Sequence, residues 1–214
     1  YTLEKNVISE VNDKPELPEG IYGITAEKYS KGRGNIEVVK EMINGGVSVV
    51  QYREKHDRKN FQEMYEECKQ IRTLTRKNNI IFIVNDYLEL ARMCNADGVH
   101  MGQKDFPVGK VKQVMPSDTI IGASTHSRKQ AKKVIEQGAD YIGVGPIYET
   151  NTKKDVCDPV GYEYLEWVVE NVDIPFVAIG GIKEHNLSEV VDIGARTISL
   201  VTEIVGTSDI SGKV

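Results

Sequence analysis

Eight short apolar runs, separated by segments of helical spacing, constrain this chain more than any other feature. The runs are GIYGITA (20–26), VSVVQYRE (47–54), IIFIVND (80–86), DGVHMG (97–102), TIIGAST (119–125), YIGVGPIY (141–148), PFVAIGG (175–181) and TISLVTEI (197–204). Each is too short for a globular helix, and most are rich in β-branched residues, as strands buried on both faces should be. The intervening segments read as helices: 36–43, 61–77, 88–95, 108–115, 127–138, 162–171 and 186–194. The first predicts a buried stripe of Ile36, Val39 and Ile43, the second one of Met64, Cys68, Ile71 and Leu74. Gly45, Gly138 and Gly194 follow helical runs where a left-handed C-cap is wanted.

Eight strands alternating with helices predict a (β/α)8 TIM barrel. One domain is expected over 20–214, preceded by an N-terminal extension over 1–19. No composition shift divides it. An open doubly wound sheet is the alternative, but no G-x-G-x-x-G opens a helix after the first strand, and GRGN at 32–35 is a poor match. Residue 1 is tyrosine, so the numbering is expected to begin inside a longer chain, and the barrel is expected to lack most of its final helix.

Composition narrows the function classes. The 214 residues carry 27 basic and 32 acidic side chains, a net charge of −5, so no global field favours nucleic acid or an anionic membrane. An acidic protein that binds an anion must cluster its cations locally. Cys68, Cys94 and Cys157 are far apart without C-x-x-C spacing, which argues against a disulfide scaffold and a structural zinc site. With no long apolar span and no signal-peptide pattern, a soluble cytoplasmic protein is expected.

In a barrel of this kind, chemistry belongs at the C-terminal ends of the strands, and the polar residues collect there. Strand two ends in Gln51-Tyr52-Arg53-Glu54-Lys55, and a period of two puts Gln51, Arg53 and Lys55 on the face of Val47 and Val49. Two cations facing inward are costly unless an anion or carboxylates meet them. A phosphate-type ligand suits Arg as a fork and Lys as a point charge; an internal salt bridge is the alternative. Asp86 after strand three and Asp105 after strand four suit a magnesium ion, which takes one or two carboxylates plus water and phosphates. Either could instead close local structure, Asp86 as a helix N-cap and Asp105 in the turn before Pro107.

His100 inside strand four reads as a core or supporting histidine, and His126 is better placed for proton work. Gly180-Gly181 after strand seven and Val201-Thr202 after strand eight fit a phosphate position. The stretch GPIYETNTKKD (145–155) empties a buried strand into hydroxyls and cations, as a site for an anion would.

QYREK, FIVND, ADGVHMGQKD, GASTHS, YIGVGPIYETNTKKD and VAIGGI, in this order, resemble the thiamine phosphate synthase (thiamine-phosphate pyrophosphorylase) family from about Ile21 to Ile204. The resemblance implies a Mg²⁺-dependent transferase of thiamine biosynthesis. It would join 4-amino-5-hydroxymethyl-2-methylpyrimidine diphosphate to 4-methyl-5-(2-phosphoethyl)thiazole, or its carboxylate form, and release pyrophosphate. It further implies that Gln51, Arg53, Lys55, Asn85, Ser124 and Lys153 hold the pyrimidine diphosphate and that Asp86 and Asp105 bind the metal. Thr150, Thr152, Gly181, Val201 and Thr202 would receive the thiazole phosphate. Arg53, Lys153 and Ser124 are the residues it implies for catalysis, and a homodimer is implied as well. Thr202 stands where many relatives have serine, which keeps the hydroxyl. A thiazole tautomerase of the same fold is the nearest rival, but the diphosphate and metal groups are retained here. A non-catalytic phosphate-ligand sensor is the other alternative.

Overall fold

The computed structural model describes residues 14–55, 57–150, 152 and 157–214. Eight parallel strands close into a barrel in sequence order: β1 (Gly20–Ile24), β2 (Val49–Tyr52), β3 (Ile81–Asn85), β4 (Gly98–Met101), β5 (Ile120–Thr125), β6 (Tyr141–Val144), β7 (Phe176–Ile179) and β8 (Thr197–Ser199). The last strand returns to the first, with Gly20 beside Thr197 and Ile21 beside Ile198. The expected (β/α)8 barrel is the observed fold, and closure removes the open-sheet alternative.

Around the strands lie α1 (Asn35–Gly45), α2 (Phe61–Lys77), α3 (Leu88–Met93), α4 (Val108–Val114), α5 (Arg128–Glu136), α6 (Gly161–Asn171), α7 (Leu187–Ile193), α8 (Val201–Val205) and α9 (Ile210–Lys213). The longest, α2, starts where the sequence supplies a capping box. The Asn60 side chain accepts from the Glu63 amide at 3.0 Å, and the Glu63 carboxylate accepts from the Asn60 amide at 2.8 Å. Its buried face carries Met64, Cys68, Ile71 and Thr75, with Leu74 half-buried at the edge.

Strand periodicity sorts side chains into two cores. Tyr22, Ile24, Val49, Ile83, Ile120, Tyr141 and Val177 fill the barrel interior. Their neighbours Val50, Phe82 and Val84 point outward under the helices, where Val38, Val39, Met42, Ile71 and Leu165 meet them. Each such aliphatic residue, fully buried, contributes about 1.5–3 kcal/mol. Leu17 packs into the interior at the N-terminal end, and the Pro18 carbonyl accepts from Thr197 Oγ1 at 3.1 Å. At this same end two aspartates staple neighbouring strands. Asp97 accepts from the Phe82 amide at 2.8 Å, and Asp140 accepts from the Ile121 amide at 2.7 Å.

Three local expectations are corrected. The eighth apolar run is not one strand: pairing ends at Ser199, and Val201–Val205 is helical. The stripe on α1 is Val38, Val39 and Met42, with Ile36 and Ile43 only half-buried. Gly45 is the last residue of α1 and not its left-handed cap, which is Gly46 at φ 95°. Gly45 is small for another reason: a Cβ there would lie 2.6 Å from the Val214 Cβ and 2.7 Å from the Ser211 carbonyl, against α9.

Candidate active site

The C-terminal ends of the strands surround a cavity of about 450 Å³, within the range of small-molecule sites. Gln51, Arg53, Asn85 and Ser124 line it from β2, β3 and β5. Thr150, Thr152, Gly181, Val201 and Thr202 line it from the β6 and β7 loops and the start of α8. Lys153 lies outside the described residues. Lys55, Asp86 and Asp105 form a charged group beside the cavity and do not line it.

Local backbone chemistry sets these positions. The Arg53 amide donates to Thr25 Oγ1 at 2.9 Å, which holds the end of β2 against the end of β1. No carboxylate among the described residues pairs with the Arg53 guanidinium, so its charge faces the cavity. Lys55 takes the other course, with its Nζ 2.7 Å from Asp86 Oδ2. Asp86 sits at φ 66°, a left-handed conformation uncommon outside glycine, and its amide donates to the His100 carbonyl at 3.0 Å. It does not cap α3, whose N-cap is Tyr87. Asp105 does close a turn: its Oδ2 accepts from the Gly102 amide at 2.6 Å.

The two carboxylates converge. Burial first, and then the negative charge of Asp86, raise the Asp105 pKa above the ordinary carboxylate value. Among the described residues no group of three or more His, Cys, Asp and Glu side chains gathers around a point. Two hard carboxylates brought together in this way fit a magnesium ion, which completes its shell with water and phosphate, and not a cage of nitrogen or sulfur ligands.

Across the cavity, Gly180 and Gly181 adopt φ 99° and 67°. A Cβ on Gly181 would meet the Glu149 carbonyl at 2.6 Å, so only glycine lets the β7 loop pass beneath the β6 loop. The hydroxyls of Thr150 and Thr152 lie 3.0 Å apart. Tyr29 donates to the Thr152 carbonyl at 3.3 Å and ties this loop to the β1 side. His126 lines the cavity and hydrogen-bonds through Nδ1 to the Gly145 carbonyl, which holds the β6 loop.

The floor holds polar groups beyond those expected from the motifs. Tyr22 and Tyr141 are buried inside the barrel and line the cavity with His100. Ser199, 2% exposed at the end of β8, also lines it, and its hydroxyl has no hydrogen-bond partner among the described residues. The usable sequence signal was parity: Tyr22 shares the inward face with Ile24, and a phenol there brings a polar handle into the barrel.

The sequence pattern of the thiamine monophosphate synthase family matches residues 21–204. The chain belongs to that family. It is therefore an enzyme of the transferase class, as the six motifs implied. Among curated thiamine monophosphate synthase relatives, the thiamine-phosphate synthase of Pelotomaculum thermopropionicum is 58% identical over 92% of this chain and 90% of its own length. That of Caldicellulosiruptor saccharolyticus is 53% identical over 91% and 87%. A solved thiamine phosphate pyrophosphorylase from Pyrococcus furiosus superposes with a TM-score of 0.82 at 33% identity, covering 94% of each chain. No helix of the described residues is long and apolar enough to cross a membrane.

Proposed function

We propose that this enzyme condenses 4-amino-5-hydroxymethyl-2-methylpyrimidine diphosphate with 4-methyl-5-(2-phosphoethyl)thiazole, giving thiamine phosphate and pyrophosphate; its carboxylate form would also release CO₂ and take up a proton at the thiazole carbon. The observation that carries the reading is the division of one cavity. Arg53, with no carboxylate partner among the described residues, stands with Gln51, Asn85 and Ser124 on one side. The Thr150–Thr152 and Gly181 loops with the start of α8 stand on the other. That arrangement suits two phosphorylated substrates meeting over a shared floor.

Gln51, Asn85 and Ser124 hold the pyrimidine, and Arg53, Lys55 and Lys153 hold its diphosphate. Thr150, Thr152, Gly181, Val201 and Thr202 hold the thiazole phosphate. Asp86 and Asp105 would hold Mg²⁺, which when bound supplies positive charge to the departing pyrophosphate. Loss of pyrophosphate leaves a pyrimidine methylene cation, and the thiazole nitrogen attacks it. Arg53 and Lys153 neutralise charge that grows on the leaving group, so they act more strongly in the transition state than in the ground state. The walls fix the two rings within bonding reach and limit water, which would otherwise capture the cation. With the decarboxylated thiazole the product keeps every proton of both rings, so no general base is needed for bond formation.

Purified protein supplied with both substrates and Mg²⁺ should release pyrophosphate in step with thiamine phosphate. Folded protein that gives no turnover with authentic substrates sinks the proposal. Conversion of a thiazole phosphate carboxylate without any need for the pyrimidine would favour the tautomerase reading.

A further inference from the structure

Five side chains form one hydrogen-bonded line across the floor of the cavity. Gln51 Nε2 donates to the Tyr22 hydroxyl at 2.8 Å, and the hydroxyls of Tyr22 and Tyr141 are 2.8 Å apart. Tyr141 lies 2.9 Å from His100 Nδ1, and His100 Nε2 lies 2.8 Å from Ser124 Oγ. The line joins β2 to β5 through residues of β1, β6 and β4, so it spans more than half the barrel. Its rings have space because β5 carries Gly122: a Cβ there would lie 2.1 Å from the Tyr141 ring.

Counting protons gives the line a direction. Burial pushes both phenols well above their ordinary pKa, so each keeps one proton that must find an acceptor. Tyr22 already accepts from Gln51, and its remaining partner is Tyr141, so Tyr22 donates to Tyr141. Tyr141 then donates to His100 Nδ1. A neutral imidazole that accepts at Nδ1 carries its proton at Nε2 and donates to Ser124 Oγ. The Ser124 proton is left to point into the cavity.

We infer that Tyr141 and His100 are positioning residues that fix Ser124 as a hydrogen-bond donor to a ring-nitrogen acceptor of the pyrimidine substrate. This rests on the proposed function for the identity of the ligand, but not for the direction of the line. With the line cut at Tyr141, His100 is free to take its proton at Nδ1, and Ser124 then spends its own proton on Nε2. The serine remains in place but presents a lone pair where the ligand needs a donor. A site built to donate rejects a ligand it can no longer satisfy.

Long-range ¹⁵N–¹H NMR of the wild-type enzyme, with His100 assigned through His100→Gln, should show the neutral Nε2–H form with Nδ1 as acceptor. Tyr141→Phe should shift the His100 signals toward the other form without altering those of His185. In steady-state assays Tyr141→Phe should raise the KM for the pyrimidine diphosphate about tenfold, the loss of one well-placed hydrogen bond, and leave the KM for the thiazole phosphate unchanged. Tyr22→Phe leaves His100 Nδ1 as the acceptor of the Tyr141 proton, so it should keep the wild-type His100 signals, and the double variant should match Tyr141→Phe. His100→Gln keeps one acceptor and one donor and should retain more affinity than His100→Leu. An Nδ1–H wild-type imidazole, a double variant worse than Tyr141→Phe, or equal effects on both substrates would each overturn the inference. If the wild type binds no pyrimidine diphosphate, the proposed function and the ligand half of this inference fall together. The NMR pattern still decides the direction.

Discussion

Replacing Asp105 by asparagine should stabilise the enzyme without metal and destabilise it, relative to wild type, with metal. In the folded protein the Asp105 carboxyl has a raised pKa because it is partly buried and faces Asp86. An acid of that kind binds protons more tightly folded than unfolded. Its stabilising contribution is present at low pH and is lost as pH rises through the folded pKa. At neutral pH the ionised pair is therefore a cost. The asparagine amide would keep an oxygen to accept from the Gly102 amide, a bond of 2.6 Å in the wild type, so the turn survives while the repulsion goes. Because Asp105 is exposed while Asp86 is half-buried, solvent screening holds the gain to about 1 kcal/mol or less. That amounts to roughly 2–4 °C in Tm for a domain of this size. Magnesium at about a hundred times its Kd stabilises the wild type by about 2.7 kcal/mol. That corresponds to roughly 5–10 °C on the same scale. The variant, left with one carboxylate ligand, should gain much less, so the two melting curves exchange order. Calorimetry at about pH 7.5 with and without MgCl₂, at matched ionic strength, tests this. Equal magnesium responses, or a variant less stable in the metal-free buffer, would refute the assignment of this acid pair. The wild-type magnesium gain should also shrink as pH falls through the carboxylate range, where protons compete for Asp105.

Asp97→Ala should lower Tm by about 4–8 °C without changing KM, since it leaves the Arg72 fork (2.7 and 2.8 Å) and the Phe82 amide unpaired for about 2 kcal/mol. An unchanged Tm, measured by calorimetry, would refute it. Ser199→Ala removes a buried hydroxyl that has no partner among the described residues and should leave stability unchanged or raise it by up to about 1 kcal/mol in urea unfolding. A loss larger than that would mean the hydroxyl is satisfied in solution. Lys153→Ala should lower kcat much more than it raises KM, because charge builds on the leaving pyrophosphate; a pure KM effect would contradict that role.

The barrel was legible because every strand is buried on both faces, so each appears as an uninterrupted apolar run whose parity also sorts inside from outside. The same property hid the end of β8. In TISLVTEI no glycine, proline or polar break marks where pairing stops at Ser199, and the five residues of α8 are too few to show a helical period. The strand-end groups Gln51, Arg53 and Asn85 could be read one strand at a time. The line beneath them could not. Tyr22 and Tyr141 are 119 residues apart, and neither has a neighbour in sequence that betrays the other. Only closure of the barrel brings them together. The choice between a phosphate ligand and an ion pair for the β2 cations also needed coordinates. Lys55 meets Asp86 across a strand boundary, while Arg53 meets no acid among the described residues.

The acids themselves separate scaffold from site. At the N-terminal end, Asp97 and Asp140 have donors on more than one side: a strand amide each, with Arg72 on the first and Lys14 on the second. Their charges are neutralised within the fold, and they ask nothing of a ligand. At the C-terminal end, Asp86 and Asp105 are brought against one another, Asp86 on a left-handed backbone and Asp105 with a pKa that records the conflict. A fold selected for stability alone gains nothing from the charge on Asp105, since an asparagine there would relieve the repulsion. Lys55 meets Asp86 through Oδ2 at 2.7 Å. The repulsion between the two acids would favour a cation, and it stands beside Arg53, which faces the cavity without a carboxylate partner among the described residues. A cation on the acids and an anion on Arg53 would relieve both imbalances together, which is the physical basis for proposing that a magnesium diphosphate binds at this end of the barrel.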